Sequence, residues 1–598
     1  MKTAKFGLFT IAVFALTACL PACKDLWEKD SDELISSSSS SGSEAQKDFN
    51  EQTSDYEFDE NGVRYIHCKE TSITLENCDT TVSVSGQVAT VKAEGTYFVD
   101  GVLNDGQIKI NADGLVKIVL NGADLSCSSG APLFIKDCEK AVVIINDGTS
   151  NVLNDYENTS EEEGVIYSKE NISISGADLG TGTLTINARN KDGIKANDGL
   201  VINSGNITVN SVDDGIVGKD FLLVHGGNIT VKSAGDAIKS TKSGEGFITI
   251  DGGIFTLTCL SSASSSDTAK NDAIKAETDI LISGGTFNIT TKRSTVSKQG
   301  WGGGFNPGGG GFNPGGGGMG ESTSNKLAGM HGITCGGNLT ISGGNFTVNA
   351  YGKGFNADGN IAFSNASAVI TAERHGVGAD GNFTIESGKL DITSSWEGIE
   401  ATNVYVLGGE TTIDAQDDGI NASNSNPSIN ISDGFLFVKA LGDGIDSNGD
   451  IKVSGGVTVV SQSGGGNSPI DCGDGGYTFT VSGGTVLAMG SSDMFSESIP
   501  SSTSNPMVYS TALGNSSSSL SVGDLIAIKN PQTFGAAIFI SDKLTNSSKY
   551  NFVIGGTISG SEYKSGTGIY FPAENVSGGK TVSVTATTEG GRGGFRGW

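Results

Sequence analysis

Proline is scarce in this chain: 10 residues of 598, against 89 glycines. Disordered low-complexity sequence is rich in both, so these glycines punctuate turns in a folded chain. Positive charge is scarce as well. The 38 lysines and arginines face 67 acids, a net charge of −29. That balance argues against nucleic acid and anionic membrane surfaces as partners, and it suits a chain that binds cations. Beyond residue 19 no run is apolar enough to span a bilayer. There is no phosphate-binding glycine loop, no His-Glu-x-x-His and no Ser-His-Asp set, and no cysteine has a histidine in register with it. Carboxylates and lysines remain as the groups that carry chemistry.

What is abundant is repetition. Asp213-Asp214-Gly215-Ile216 is one tooth of a comb that recurs at Asp192-Gly193-Ile194, Asp236-Ala237-Ile238, Asp272-Ala273-Ile274, Asp418-Gly419-Ile420 and Asp443-Gly444-Ile445. Weaker copies stand at His331-Gly332-Ile333, Lys353-Gly354-Phe355, His375-Gly376-Val377, Glu397-Gly398-Ile399 and Pro469-Ile470. Counted on the apolar residue, 194 to 216 to 238 are steps of 22, as are 333 to 355 to 377 to 399. A fixed period of this size marks a solenoid in which each repeat stacks on the next.

Residues 192 to 211 contain three short alternating runs separated by glycine turns, which is strand chemistry at period two. Three strands per turn describe an all-β, right-handed parallel β-helix. A leucine-rich repeat has a similar period, but its Leu/Asn skeleton is missing. Stacking places Leu200 over Leu222, Ile202 over Val224, Ile207 over Ile229 and Val209 over Val231. Gly205, Gly227, Gly253, Gly285, Gly344, Gly409, Gly456 and Gly484 share a turn column, which predicts positive φ there. Two residues past the isoleucine only small side chains occur, among them Ala196, Ser240, Cys335, Ala379, Ala401 and Cys472. That column is expected to face a crowded interior. At about 4.8 Å per rung the clear repeats make a rod on the order of 50 Å long.

Along the chain, residues 1–19 read as a secretory signal ending in Leu16-Thr17-Ala18-Cys19, which is similar to a bacterial lipobox. Cys19 is therefore the expected lipidation site, with the membrane touched only through that anchor, at the cell envelope. Residues 20–59 are polar and Ser-rich and read as a disordered tether. Residues 60–165 are an N-terminal cap with early coils, 166–490 the β-helix, 491–590 a C-terminal β cap and 591–598 a Gly/Arg tail. Within the β-helix, 294–328 is a Gly-rich insertion carrying Trp301, Phe305 and Phe312, aromatics able to stack on sugar rings. Cys68, Cys78, Cys127 and Cys138 lie in an exported chain, where disulfides persist. Cys68–Cys78 with Cys127–Cys138 is one of the three pairings that four cysteines allow. A monomer is expected.

Asp192, Asp214, Asp236 and Asp272 occupy one column on consecutive rungs, with Asp213 beside them. Carboxylates about 5 Å apart repel by roughly 1 kcal/mol in water and roughly 3 at an effective dielectric of 20. Calcium, which takes oxygen ligands in flexible geometry, relieves such a column, so calcium is the expected cofactor. The competing reading is a solvated acidic ridge partnered by the interleaved lysines. A second acidic patch, Glu397, Glu400, Asp418, Asp443, Asp446 and Asp471, offers a possible second metal site. Between the patches the column turns basic at His331, Lys353 and His375, next to Arg374. The two histidines lie two rungs apart, about 9.6 Å, which is too far for one zinc. A basic belt flanked by calcium suits an acidic polysaccharide, with Lys219, Lys239, Lys275, Lys353 and His375 as its expected contacts; the competing reading of the belt is a solvated face.

The runs Ser211-Val212-Asp213-Asp214-Gly215-Ile216-Val217-Gly218, Gly235-Asp236-Ala237-Ile238-Lys239-Ser240 and Gly226-Gly227-Asn228-Ile229-Thr230-Val231 resemble a family of bacterial secreted carbohydrate-binding proteins. That family is built on a calcium-binding parallel β-helix related to family 9 pectate lyases. The resemblance spans about residues 70 to 590 and departs from the family at Met330-His331-Gly332. It implies polygalacturonate or cellulose as partner, with calcium at Asp192, Asp213, Asp214 and Asp236. It also raises two alternatives. One is a polysaccharide lyase using Lys239 or Lys275 as base while calcium neutralises a uronate carboxylate. The other is a surface adhesin or structural rod without a glycan ligand.

Overall fold

Isoleucine, or a close substitute, at the third position of each tooth sets the register of the fold. The computed structural model describes residues 51–58, 63–157, 161–261, 271–293 and 329–590. Over them the chain winds into an all-β parallel β-helix of about 14 turns. Two short 3-10 turns, Thr53–Asp55 and Phe495–Ser498, are its helical content among the described residues. Each coil lays down three strands. One coil gives Asp192–Ala196, Gly199–Ile202 and Asn206–Ser211; the next gives Ile216–Gly218, Phe221–Val224 and Asn228–Ser233. Stacked coils build three parallel sheets, the first, second and third in that order.

Stacking puts like on like. On the first sheet Ile194 pairs with Ile216, Ile216 with Ile238 and Ile238 with Ile274. Leu200 pairs with Leu222 on the second sheet, and Ile207 with Ile229 on the third. Alternation sorts the side chains. In Asn206–Ser211, Ile207 and Val209 are buried, whereas Thr208 between them is not. Each large aliphatic side chain removed from water this way contributes about 1.5–3 kcal/mol. The small-residue column is interior as expected: Ala379, 5% exposed, is held between Ala357 and Ala401. The turn glycines also behave as expected. Gly205, Gly227 and Gly253 have φ of 119°, 108° and 111°. A Cβ on Gly227 would lie 2.9 Å from the carbonyl oxygen of Gly205, so backbone conformation and close stacking both demand glycine there.

Both ends of the rod are closed by antiparallel pairing, which removes the open strand edges a solenoid would otherwise present. Arg64–Glu70 folds back on Ser72–Glu76, and Val82–Ser85 forms a hairpin with Val88–Val91. Pairing is parallel from Val88–Val91 onward, so regular coils begin well before residue 166. At the far end Ala536–Ile540 runs antiparallel to Thr485–Gly490, and a five-stranded antiparallel sheet follows. Its core residues Leu520 and Phe552, together with Phe539 of Ala536–Ile540, pack with Phe435, Phe437, Val459 and Leu487 on the outer face of the third sheet.

Two expectations are corrected. The tether does not run to residue 59, because residues 51–58 dock on the coils. The Lys140 Nζ–Asp55 Oδ2 pair, 2.5 Å apart, is buried, Lys117 Nζ donates to the carbonyls of Ser54 and Glu57, and Phe58 packs edge-on against Phe98. The cysteine pairings are also absent, since Cys68, Cys78, Cys127 and Cys138 are all free thiols. In the first hairpin Cys68 faces Ile73, while Cys78 lies beyond the Tyr65–Glu76 pair. There its thiol donates to the Tyr65 carbonyl at 3.4 Å, three residues or roughly 10 Å along the strand from Cys68, which is too far to bridge. Cys127 and Cys138 are likewise separated by the whole of Leu133–Asp137.

Candidate functional site

The aspartates of the comb are placed by the turn from the third sheet into the first, and their primary role is to strap one coil to the next. Asp192 Oδ1 accepts the backbone N–H of Asp214 at 3.2 Å, Asp214 Oδ1 that of Asp236 at 2.7 Å, and Asp236 Oδ1 that of Asp272 at 2.6 Å. Asp272 Oδ1 then accepts from His331 at 2.8 Å, and His331 Nδ1 from Lys353 at 2.9 Å. The device returns at the far end, where Asp418 Oδ1 accepts the N–H of Asp443 at 2.7 Å and Asp443 Oδ1 that of Ser468 at 2.5 Å. Charge-assisted bonds of this kind are the stronger class. The second oxygen of each strap meets a lysine three residues on in its own rung where one is present. Lys195 Nζ lies 3.3 Å from Asp192 Oδ2, Lys239 Nζ 2.9 Å from Asp236 Oδ2 and Lys275 Nζ 3.5 Å from Asp272 Oδ2.

The rung of Asp214 differs, because Val217 stands where its neighbours have Lys195 and Lys239. At this gap Asp192, Asp213 and Asp214 bring carboxylate oxygens within 4.8 Å of one another. Asp213 takes no part in the straps and is exposed. Space for the pair is made one coil on by Gly235, where a Cβ would lie 2.5 Å from Asp214 Oδ1 and 2.9 Å from Asp213 Oδ1. Burial, opposed by Lys195 and reinforced by Asp214 and Asp213, pushes the Asp192 carboxyl up to about 7. Burial and Asp214 also raise Asp213. Three all-oxygen donors in a glycine cradle, with too little positive charge to balance them, fit calcium. Lys239, which spans to Asp214 Oδ2 at 2.9 Å, would yield to the ion. Asp236 and Asp272 are not brought into this group. They serve as straps, 1% and 2% exposed.

The lysines are engaged too. Burial works against the Lys239 charge, but Asp236 and Asp214 overcome it and hold the ammonium above its ordinary range. A general base must be a free amine, so this environment opposes a lyase role for Lys239. Lys275 is tied to Asp272 and sits 4.0 Å from Asp236 Oδ2. Lys219 lies at the opposite corner of its strand, where its charge acts on Asp198.

In the far patch the lysine position of the first sheet is taken by Glu400, Asn421, Asp446 and Asp471, in register on successive rungs. Burial, with Asp418, Asp443 and Asp471 next, pushes Asp446 up to about 8, and burial likewise drives Asp418 to about 7. Glu397 and Glu400 converge on His375, while the charge of Glu397 also acts on Asp417, Asp418 and Asp446. The expected basic belt is therefore not a belt. Burial holds the His331 imidazole down at about 4, and its Nδ1 is a hydrogen-bond acceptor. His375 is 5% exposed, out of reach of a polysaccharide. Lys353 leans over Gly378 towards Glu400, with Nζ 3.6 Å from Oε2. Trp396, which precedes the Glu397 tooth directly, is 52% exposed and was not singled out from sequence. Its only sequence signal is a lone aromatic at the entrance to a rung. Trp301, Phe305, Phe312 and Cys19 lie outside the described residues.

Comparison with known proteins adds the context of this surface. A family profile described as "Carbohydrate-binding domain-containing protein" matches residues 85–372 and 366–560. A curated protein of that description from Acetivibrio thermocellus is 34% identical over 146 residues, which cover 23% of this chain and 49% of that protein. The matched part thus spans about half the length of that relative. Among solved structures, one titled as the polysaccharide lyase-like protein from C. thermocellum, gadolinium derivative, shares 29% identity. It covers 39% of this chain and 90% of its own, with a TM-score of 0.34.

Proposed function

We propose, from the premise that this chain belongs to the carbohydrate-binding domain-containing protein family, that it binds acidic polysaccharide of the polygalacturonate class along its first sheet in a calcium-dependent manner. The observation that carries the reading is the convergence of Asp192, Asp213 and Asp214 at the one rung among four where Val217 interrupts the lysines. These carboxylates would hold calcium, which when bound supplies the charge that couples protein carboxylate to sugar carboxylate. Lys239 and Lys275 stand beside the site with 23% and 24% of their side chains exposed, enough to meet further uronate groups. Six rungs on, about 29 Å, Trp396 offers an exposed ring at the edge of the same sheet. An extended chain lying along the rod can touch both. Cys19 would tether this rod to the cell envelope by its lipid.

A glycan-array profile of the full chain, recorded with calcium and again with chelator, tests the reading. Acidic polysaccharides should be retained with calcium and released by chelator. Retention that chelator leaves unchanged would remove calcium from the account, and retention of neutral glycans alone would remove the acidic class.

A further inference from the structure

We propose that His375, Glu397 and Glu400 form a second, chemically distinct cation site that takes a divalent transition metal of the zinc and cobalt type. It rests on none of the calcium reading above.

His375 occupies the strap column, yet it makes no strap. One coil-pair earlier His331 Nδ1 accepts the N–H of Lys353 at 2.9 Å. His375 Nδ1 is buried and has no hydrogen-bond partner. It points instead at two carboxylates, with Glu397 Oε2 at 3.1 Å and Glu400 Oε2 at 3.2 Å. Glu397 Oε2 is equally buried and unpartnered, as is Oδ1 of Asn421, in register with Glu400 on the next rung. Unpaired buried polar atoms are costly, and the two that face each other here, His375 Nδ1 and Glu397 Oε2, call for a ligand.

The spacing says which kind. Two donors each about 2.1 Å from a metal, at tetrahedral to octahedral angles, lie about 3.0–3.4 Å apart. The two nitrogen–oxygen separations fall in that window. Calcium takes oxygen ligands, whereas one imidazole nitrogen with two carboxylates suits zinc and its neighbours. Access comes through Glu400, whose side chain is 35% exposed against 6% for His375. Lys353 is the resident competitor. Its Nζ lies 3.6 Å from Glu400 Oε2, across Gly378, where a Cβ would stand 2.5 Å from Nζ. A metal would displace this ammonium.

Cobalt(II) added to the full-length protein in excess calcium tests the site, read by its visible d–d absorption. A saturable band should appear, bleach on adding zinc and persist in Asp213→Asn. His375→Gln should abolish it, and Glu400→Gln, at a half-exposed position that leaves the fold intact, should weaken binding about tenfold or more. Lys353→Met should tighten it. A protein that gives no band beyond aqueous cobalt would overturn the proposal. So would a band unchanged in His375→Gln and Glu400→Gln, or one that calcium displaces.

Discussion

Removing one strap should loosen the rod in a way that depends on whether an acceptor remains, and Asp236 is the place to test it. Asp236 is 1% exposed, and its Oδ1 holds the buried N–H of Asp272 at 2.6 Å. Asp236→Ala orphans that N–H, which costs about 1–3 kcal/mol. The lysines add little to the cost, because each keeps another carboxylate: Lys239 has Asp214 at 2.9 Å and Lys275 has Asp272 at 3.5 Å. Asp236→Asn preserves the acceptor oxygen. It also removes a charge that burial and Asp272 disfavour, since the Asp236 carboxyl is raised above its ordinary range. Asn should therefore lie within about 1 kcal/mol of the parent, and Ala should fall clearly below it. Because neighbouring coils in a solenoid can open locally, calorimetry should be joined by hydrogen exchange at the Asp272 amide. That amide should exchange faster in the Ala variant and not in the Asn variant. Equal stability and equal exchange in the two variants would show that the straps do not hold the coils together.

Other outcomes follow from the same structure. Ala379→Leu should overpack the column between Ala357 and Ala401 and cost about 1–3 kcal/mol; an unchanged melting temperature would contradict interior packing there. His225 lies between Glu51 at 3.0 Å and Asp251 at 2.8 Å. The hydrogen bond to Glu51 outweighs burial, Asp251 adds to it, and the imidazole rises to about 9. A folded value above the unfolded one gives stabilisation that is complete below about pH 6.5 and lost as pH rises through about 9. Limited proteolysis of residues 51–58 should accordingly be slow at about pH 6 and fast above about pH 9, and pH-independent cleavage would refute the docking of this segment through His225. Cys19→Ser should move the protein from the membrane fraction to the soluble fraction; a variant that stays with the membrane would exclude this anchor.

The coil was legible because its determinants are local and periodic. The isoleucine column, the small column headed by Ala196 and the turn glycines such as Gly205 each recur at the repeat length, and each repeats one physical demand. The role of the aspartates was not legible in the same way. Their repeat looks like a ladder of ligands, but whether a carboxylate faces solvent or the N–H of the next coil depends on the turn backbone, and composition does not specify that. Asp213 and Asp214 are adjacent and identical in type, yet one straps and the other is exposed. The meeting of His375 with Glu397 and Glu400 was missed because the sequence invites comparison of His375 with His331, two rungs away. The partners lie one rung away in two different columns. The docking of residues 51–58 rests on long-range contacts, Asp55 with Lys140 and Glu51 with His225, that no local pattern announces.

Asp214 cannot by itself decide the calcium question, since Asp214→Ala also deletes a strap. Asp213 is free of that role, so Asp213→Asn perturbs the cluster without touching the coil. The most direct measurement is affinity electrophoresis of the full chain through a polygalacturonate gel, parent and Asp213→Asn side by side, with calcium and with chelator. Calcium bound to the folded rod alone should also stabilise it, by about 2.7 kcal/mol at a hundredfold excess over Kd. The parent should be retarded only when calcium is present, and Asp213→Asn should run unretarded in both gels while melting at the parent's calcium-free temperature. Equal retardation of the two proteins, or retardation that survives the chelator, would contradict a calcium-bridged polysaccharide site at Asp192, Asp213 and Asp214.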